Sequence, residues 1–289
     1  MNNNYIFSVV KPKRPPQPPL RQYGTHIVLN HSKSAFQPVI EEHSNNLRLT
    51  MNFPDSFNLP LYKVFDQENI GACVPNAFAA AVQIFTGEVP SRLYLYYNTR
   101  LGIGVCPKMD TGLDLGRALP LLCSYGLPSE TLFPYTTSKF ATLPPYTTYQ
   151  SIPITSEKIT YSIIAQNEQS IKNNLYSGNP IIFGISVFQS LLLKIIEKNG
   201  IIPYPNIRKE RYLGGHCVLM IGWTTYNKQD YFIIRNSWGT DWGNTGETIL
   251  QPNDGKNGGY AYIPKTYILN PMLAFDFYAL KIEEQIINY

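Results

Sequence analysis

Apolar residues fill nearly every side of the segment 73–86, CVPNAFAAAVQIFT, and this pattern predicts a buried helix. Pro75 falls in the first turn, where its missing N–H does no harm, and Gly87 is placed to end the helix. A second helix is predicted from about Ser91 in SRLYLYYNTR. A third is predicted in DLGRALPLLCSYG, where Leu115, Ala118, Leu121 and Leu122 recur at helical spacing and Pro120 argues against an unbroken run. After about Pro145 the pattern changes. A helix is predicted around Asn167–Ser177 up to Gly178, then a buried strand over Pro180–Val187, then a helix over Gln189–Lys198 that stops at Gly200. HCVLMIGW and YFIIRN read as two strands joined by the polar turn TTYNKQD, and GYAYIP and FDFYAL as further strands. A helix-rich half to about residue 150 and a strand-rich half over 151–289 predict an α+β protein of two subdomains with a cleft between them.

Residues 1–48 follow a different rule. Pro12, Pro15, Pro16, Pro18 and Pro19 impose an extended, polyproline-like stretch with PxxP spacing, and a polar segment with His26, His31 and His43 comes after it. This reads as an arm preceding a folded body over 49–289. The chain's net charge is +4, yet residues 1–40 hold five basic residues and no acid, so the body is nearly neutral. A nucleic-acid binder carries its basic residues on the folded part, so nucleic acid is not expected as a partner. A composition 44% hydrophobic and 13% aromatic argues for a packed core rather than disorder over most of the length. No apolar run approaches the ~18 residues of a membrane span, and the apolar stretch in MNNNYIFSVVKPKRPP falls short of the roughly 7–15 residues of a secretory leader. The four cysteines, Cys73, Cys106, Cys123 and Cys217, match no paired zinc-ligand spacing, so no metal or other cofactor is expected. Reduced thiols without a disulfide are the expectation, Cys106 and Cys123 being the plausible pair if one forms.

Cys73 opens the predicted buried helix, where free N–H groups and the helix dipole favour a thiolate near neutral pH. Gly71 and Ala72 leave room for a substrate to approach. Such a nucleophile needs a base, and His216 is the one histidine of the body, set behind Gly214 and Gly215 at the start of a strand. Asn236 lies 20 residues further on, and the midpoint of that span is Tyr226, inside the polar turn. A hairpin therefore brings Asn236 within a residue or two of His216, where its amide oxygen can fix the imidazole's tautomer. A buried cysteine and a strand histidine are, taken singly, more often core residues than catalysts.

The run RNSWGTDWGNTG, with GGHCVLMIGW before it and DQENIGAC far upstream, resembles the papain family of cysteine peptidases over residues 53–289. Gln67 stands six residues before Cys73, the family's spacing between its oxyanion-hole glutamine and its nucleophile. The resemblance implies a papain-like fold, with a helical left subdomain and a β-barrel-like right subdomain flanking the active-site cleft. It implies Cys73 as nucleophile, His216 as acid–base partner and Asn236 as its orienter. Gln67 and the Cys73 backbone N–H would form the oxyanion hole. Trp238 would shield the Asn236–His216 contact and Trp242 line the primed side, both of them otherwise core residues. Gly112 would pair with the substrate backbone, with Gly215 also lining the cleft. The S2 specificity residue falls near Phe275 or Asp276. Ile70 stands where many secreted relatives have a disulfide cysteine, Val74 replaces a common tryptophan, and Glu68 replaces a usual glycine. The motif pattern is similar to a divergent branch of microbes and large viruses, relative to which 248–257 is an inserted polar loop.

These features together predict a thiol endopeptidase acting on peptide or protein substrates and made as a precursor. Some members of the family hold a substrate's C-terminal carboxylate with loop histidines, and the body has no histidine other than His216, so the resemblance implies internal cleavage. The arm around residues 23–42 is expected to lie in or beside the cleft and restrain activity. A monomer is expected, off the membrane, inside the cell or packaged in a particle such as a virion. Two other readings remain open at this stage: a papain-like body that binds peptides without cleaving them, and an adaptor working through its proline-rich arm.

Overall fold

In the computed structural model, the described residues are 52–154, 159–193, 196, 200–243 and 258–282, together with the backbone of residues 6–7. Helix α1 spans Cys73–Thr86 and ends on Gly87 in the left-handed conformation (φ 75°), where glycine has no Cβ to clash. Its residues from Cys73 to Gln83 are all buried, as the apolar pattern requires. Helix α2 (Arg92–Gly102) starts where the Ser91 side chain accepts the Tyr94 N–H, and α3 (Leu115–Ser124) where the Asp114 side chain accepts the Arg117 N–H. Helix α3 runs unbroken through Pro120. A proline there withholds one N–H, and the carbonyl left over belongs to Gly116, which is exposed to water. Helices α4 (Tyr146–Gln150), α5 (Glu168–Tyr176) and α6 (Lys265–Ile268) are shorter.

The strands are β1 (Ile6–Phe7), β2 (Phe57–Asn58), β3 (Leu113–Asp114), β4 (Ile159–Ile163), β5 (Ile181–Phe188), β6 (Tyr212–Tyr226), β7 (Gln229–Arg235), β8 (Tyr260–Pro264) and β9 (Ala274–Ile282). They join in the order β3-β1-β6-β5-β9-β4, with β7 added to β6 and β8 to β7. Strand β5 is buried along its whole length, flanked by β6 and β9. Strands β6 and β7 form the expected hairpin, closed at Tyr226 opposite Gln229, with Asn227 and Lys228 both at positive φ in the turn. The helical and strand-rich parts meet where α1 packs on β6.

One predicted element starts differently from the expectation. The first residues of the helix expected over Gln189–Lys198 form a 3-10 turn, Gln189–Leu192, after which Leu193 is extended (ψ 138°) and Ile196 is helical. The Gln189 amide donates to the Arg211 carbonyl and the Ser190 amide to the Glu210 carboxylate, so both are held from outside the segment. Residues 194–195 and 197–199 lie outside the described residues, as do 248–257 and the arm segment 23–42.

Candidate active site

Cys73 is the first residue of α1 and is fully buried. Its sulfur faces the backbone N–H groups of Cys217, Val74 and Cys73 itself, and the Asp110 carboxylate acts on it from across the loop. The Cys217 amide belongs to the residue that follows His216, so β6 presents this part of its backbone to the head of α1. His216 is also fully buried. Its Nε2 lies 2.7 Å from Asn236 Oδ1, and its Nδ1 is buried with no hydrogen-bond partner among the described residues. Asn236 Oδ1 also accepts the Ser237 N–H at 2.8 Å, which fixes the amide with its oxygen toward the imidazole. Nε2 therefore carries the proton, and Nδ1 keeps a lone pair.

Two tryptophans cover this pair. Trp238 stacks on His216 with ring centroids 4.7 Å apart, and Trp242 meets Trp238 edge-on at 5.4 Å. Both are buried, and both indole N–H groups lack a partner among the described residues. Gln67 is fully buried, its Oε1 accepting from Ser237 Oγ at 2.6 Å and its Nε2 donating to the Ile70 carbonyl at 3.0 Å. Ser237 thus joins the Asn236 end of the site to the Gln67 end, a link that went unread although Ser237 adjoins Asn236 in RNSWG. Glu68 stands at φ 54°, the left-handed region that suits glycine, in keeping with the glycine usual at that place.

Gly112 abuts Gly71: a Cβ on Gly71 would lie 2.9 Å from Gly112 N. Its N–H donates to the Tyr96 hydroxyl at 3.2 Å, so the edge that β1 pairs with is Leu113–Asp114. Gly215 sits on β6 opposite Ser186, and β1 pairs with it through Phe7 from the other side. Strand β1 is thus seated between β3 and β6, running from Asp114 toward Gly112 along one wall and from Gly215 toward His216 along the other.

Burial governs the ionisation here. Desolvation pushes the Cys73 thiol up to about 12, against the lowering pull of its backbone donors. Desolvation also takes the His216 imidazolium down to about 4, with the Asn236 bond acting the other way. Burial thus works against the thiolate expected at neutral pH, while the backbone donors at the head of α1 work for it. Among the described residues no group of acidic, histidine and cysteine side chains could hold a metal ion.

Residues 111–262, more than half of the chain, match the sequence pattern of the papain family cysteine proteases. The chain belongs to that family. It is a cysteine-type peptidase with the α+β papain fold. The protease is 30% identical over 239 residues to an uncharacterized peptidase C1-like protein of Acanthamoeba polyphaga mimivirus, covering 77% of this chain and 71% of that protein. It is 30% identical to the crystal structure of xylellain, a cysteine protease from Xylella fastidiosa, with a TM-score of 0.68 over 80% of this chain and 87% of that one. A digestive procathepsin L 3 of Tenebrio molitor shares the fold at 20% identity and a TM-score of 0.59, over 81% of this chain and 72% of that one. No helix among the described residues is long and apolar enough to cross a membrane.

Proposed function

We propose that the protease is a thiol endopeptidase with Cys73 as nucleophile, His216 as acid–base partner and Asn236 as its orienter. The observation that carries this reading is the Asn236–His216 bond, which leaves the unpartnered Nδ1 as the basic nitrogen. In the reaction Nδ1 takes the Cys73 proton as the sulfur attacks the scissile carbonyl, and gives it to the leaving amine as the thioester forms. Water then hydrolyses the thioester and the thiol is restored. The oxyanion is met by the Cys73 N–H at the head of α1 and by the Gln67 amide, and loss of one such donor typically costs ~10²–10³ in rate. A primary amide has two hydrogens to donate, and Ser237 and Ile70 hold this one at a fixed angle. Trp238 and Trp242 keep water from the imidazole, with Trp242 toward the leaving-group side. Gly112 and Gly215 line the acyl side, where an extended peptide fits between β3 and β6.

The protein is read as a precursor restrained by its N-terminal arm, residues 1–48, ahead of a peptidase domain over 49–289. The support is β1, which fills the strand position a substrate would need. An intracellular or particle-packaged setting agrees with the mimiviral relative. The test is labelling with an epoxysuccinyl thiol-protease probe together with peptide cleavage by wild type and Cys73→Ala. The reading expects label on Cys73 and no cleavage by the variant at unchanged melting temperature. Cleavage retained by Cys73→Ala would remove it, and peptide binding with neither label nor cleavage in wild type would favour a binding protein.

A further inference from the structure

We propose that Tyr96 and Asp110 form a clamp that sets the spacing between the Cys73 loop and the β3 edge, acting as positioning residues for the protease. The proposal rests on the roles given above to Cys73 and to the β3 edge beyond Gly112.

The clamp joins three separate pieces of chain. Tyr96, on α2, is fully buried, and its hydroxyl donates to Asp110 Oδ1 while accepting the Gly112 N–H at 3.2 Å. The Asp110 carboxylate in turn accepts the Gly71 N–H, at 2.8 Å to Oδ1 and 3.1 Å to Oδ2. Gly71 lies two residues before Cys73, and Gly112 precedes β3 directly. The same four groups therefore hold the approach to the nucleophile and the edge along which a peptide backbone runs. The fit is close: a Cβ on Gly71 would also come within 3.0 Å of Gly112 Cα and 3.2 Å of Asp110 Oδ1.

The clamp is itself braced. The Arg100 guanidinium lies 3.8 Å from the Tyr96 ring centroid, and its Nη1 donates to the Pro107 and Met109 carbonyls at 2.7 and 2.8 Å. The ring and the loop that carries Asp110 are thus fixed by one buried cation. Burial first, and then the Asp110 charge, push the Tyr96 phenol well above its ordinary value, so it stays a neutral donor to the carboxylate. This wall is tied by the hydrogen bonds of Tyr96 and Asp110. A clamp of that kind matters for rate because misplacement of reacting groups by about 1 Å can cost on the order of 10²-fold.

The test compares Tyr96→Phe, Asp110→Ala and Asp110→Asn with wild type, and uses Tyr149→Phe as control. Tyr149 also bonds α2, to Asn98 Oδ1 at 3.1 Å, but lies outside the clamp. Steady-state kinetics on one fluorogenic peptide are read beside hydrogen exchange at the Gly71 and Gly112 amides. Tyr96→Phe is expected to deprotect the Gly112 amide and lower kcat/KM about tenfold, mainly through KM. Asp110→Ala is expected to deprotect the Gly71 amide and lower kcat about tenfold. Asp110→Asn, which keeps the acceptor for Gly71, should recover most of that loss. Asp110 is exposed, so its variants are expected to fold. Unchanged exchange at both amides overturns the clamp whatever the activity. So does a kcat/KM within twofold of wild type in Tyr96→Phe and Asp110→Ala, or an equal loss in Tyr149→Phe or Asp110→Asn. Failure of the Cys73 assignment shows separately, as cleavage that survives Cys73→Ala.

Discussion

At the scale of single residues, one buried and one half-buried group tie stability to pH with opposite signs. His216 titrates at about 4 in the folded chain against an ordinary 6.5, because burial disfavours its charged form. The unfolded chain therefore gains a proton first, and stability is lost as pH falls from about 6.5 through 4, on the order of 3 kcal/mol in all. Asp276 behaves the other way. Burial, and then the charge of Asp114, raise its carboxyl to about 6 from 3.8, so the stability it contributes is complete below 3.8 and lost as pH rises through 6. Its φ of 56° places it at the irregularity where β9 leaves register with β5, so the carboxyl is fixed by the backbone. Between about 4 and 6 the two slopes partly cancel in the wild-type protein. Melting temperatures from pH 4 to 7 should thus fall more steeply on acidification in Asp276→Asn than in wild type, and less steeply in His216→Gln. Identical profiles in all three proteins would contradict these assignments.

At the scale of elements, the β6–β7 turn offers the clearest local test. Asn227 and Lys228 stand at φ 50° and 61°, the geometry of a type I′ turn, which prefers glycine at its second position. Lys228→Gly should stabilise the fold by about 0.5 kcal/mol, since relief of the left-handed lysine outweighs the added unfolded-state freedom. An unchanged or lowered denaturation midpoint would count against that balance. The same hairpin shows what the sequence made legible. Hydrophobic runs and a polar turn were enough to bring Asn236 to the neighbourhood of His216, and α1 begins and ends where Cys73 and Gly87 imply. The register was open by two residues. Arg235 pairs with Leu219, so Asn236 falls level with Val218, because the ladder skips one residue between Met220 and Gly222. That irregularity sits where β2 approaches so closely that a Cβ on Gly222 would lie 2.1 Å from the Phe57 carbonyl. Contacts between segments far apart in sequence decided it. The Tyr96–Asp110–Gly71 links are not legible for the same reason: no spacing rule relates a tyrosine on one helix to a residue two places ahead of another.

At the scale of the whole molecule, the arm and the cleft make one question of regulation. The expectation placed residues 23–42 against the cleft, and they lie outside the described residues, whereas the backbone of Ile6–Phe7 is paired with both walls. A tethered strand in that slot would compete with substrate at an effective concentration of about 1 mM or more, so even weak pairing would restrain the enzyme. The two ideas differ in their response to salt. Docking of the basic arm on a near-neutral body would weaken as ionic strength rises, while backbone pairing of β1 with β3 and β6 depends little on screening. Full-length protein should therefore be compared with chains beginning at Lys11 and at Arg48, on one small peptide at several salt concentrations. If β1 is the restraint, removing residues 1–10 raises kcat/KM about tenfold at every salt concentration, and the longer deletion adds little. If charge-assisted docking dominates, the gain waits for the longer deletion, and salt partly releases the full-length enzyme. Equal turnover by all three chains at every salt concentration would leave the arm without a restraining role.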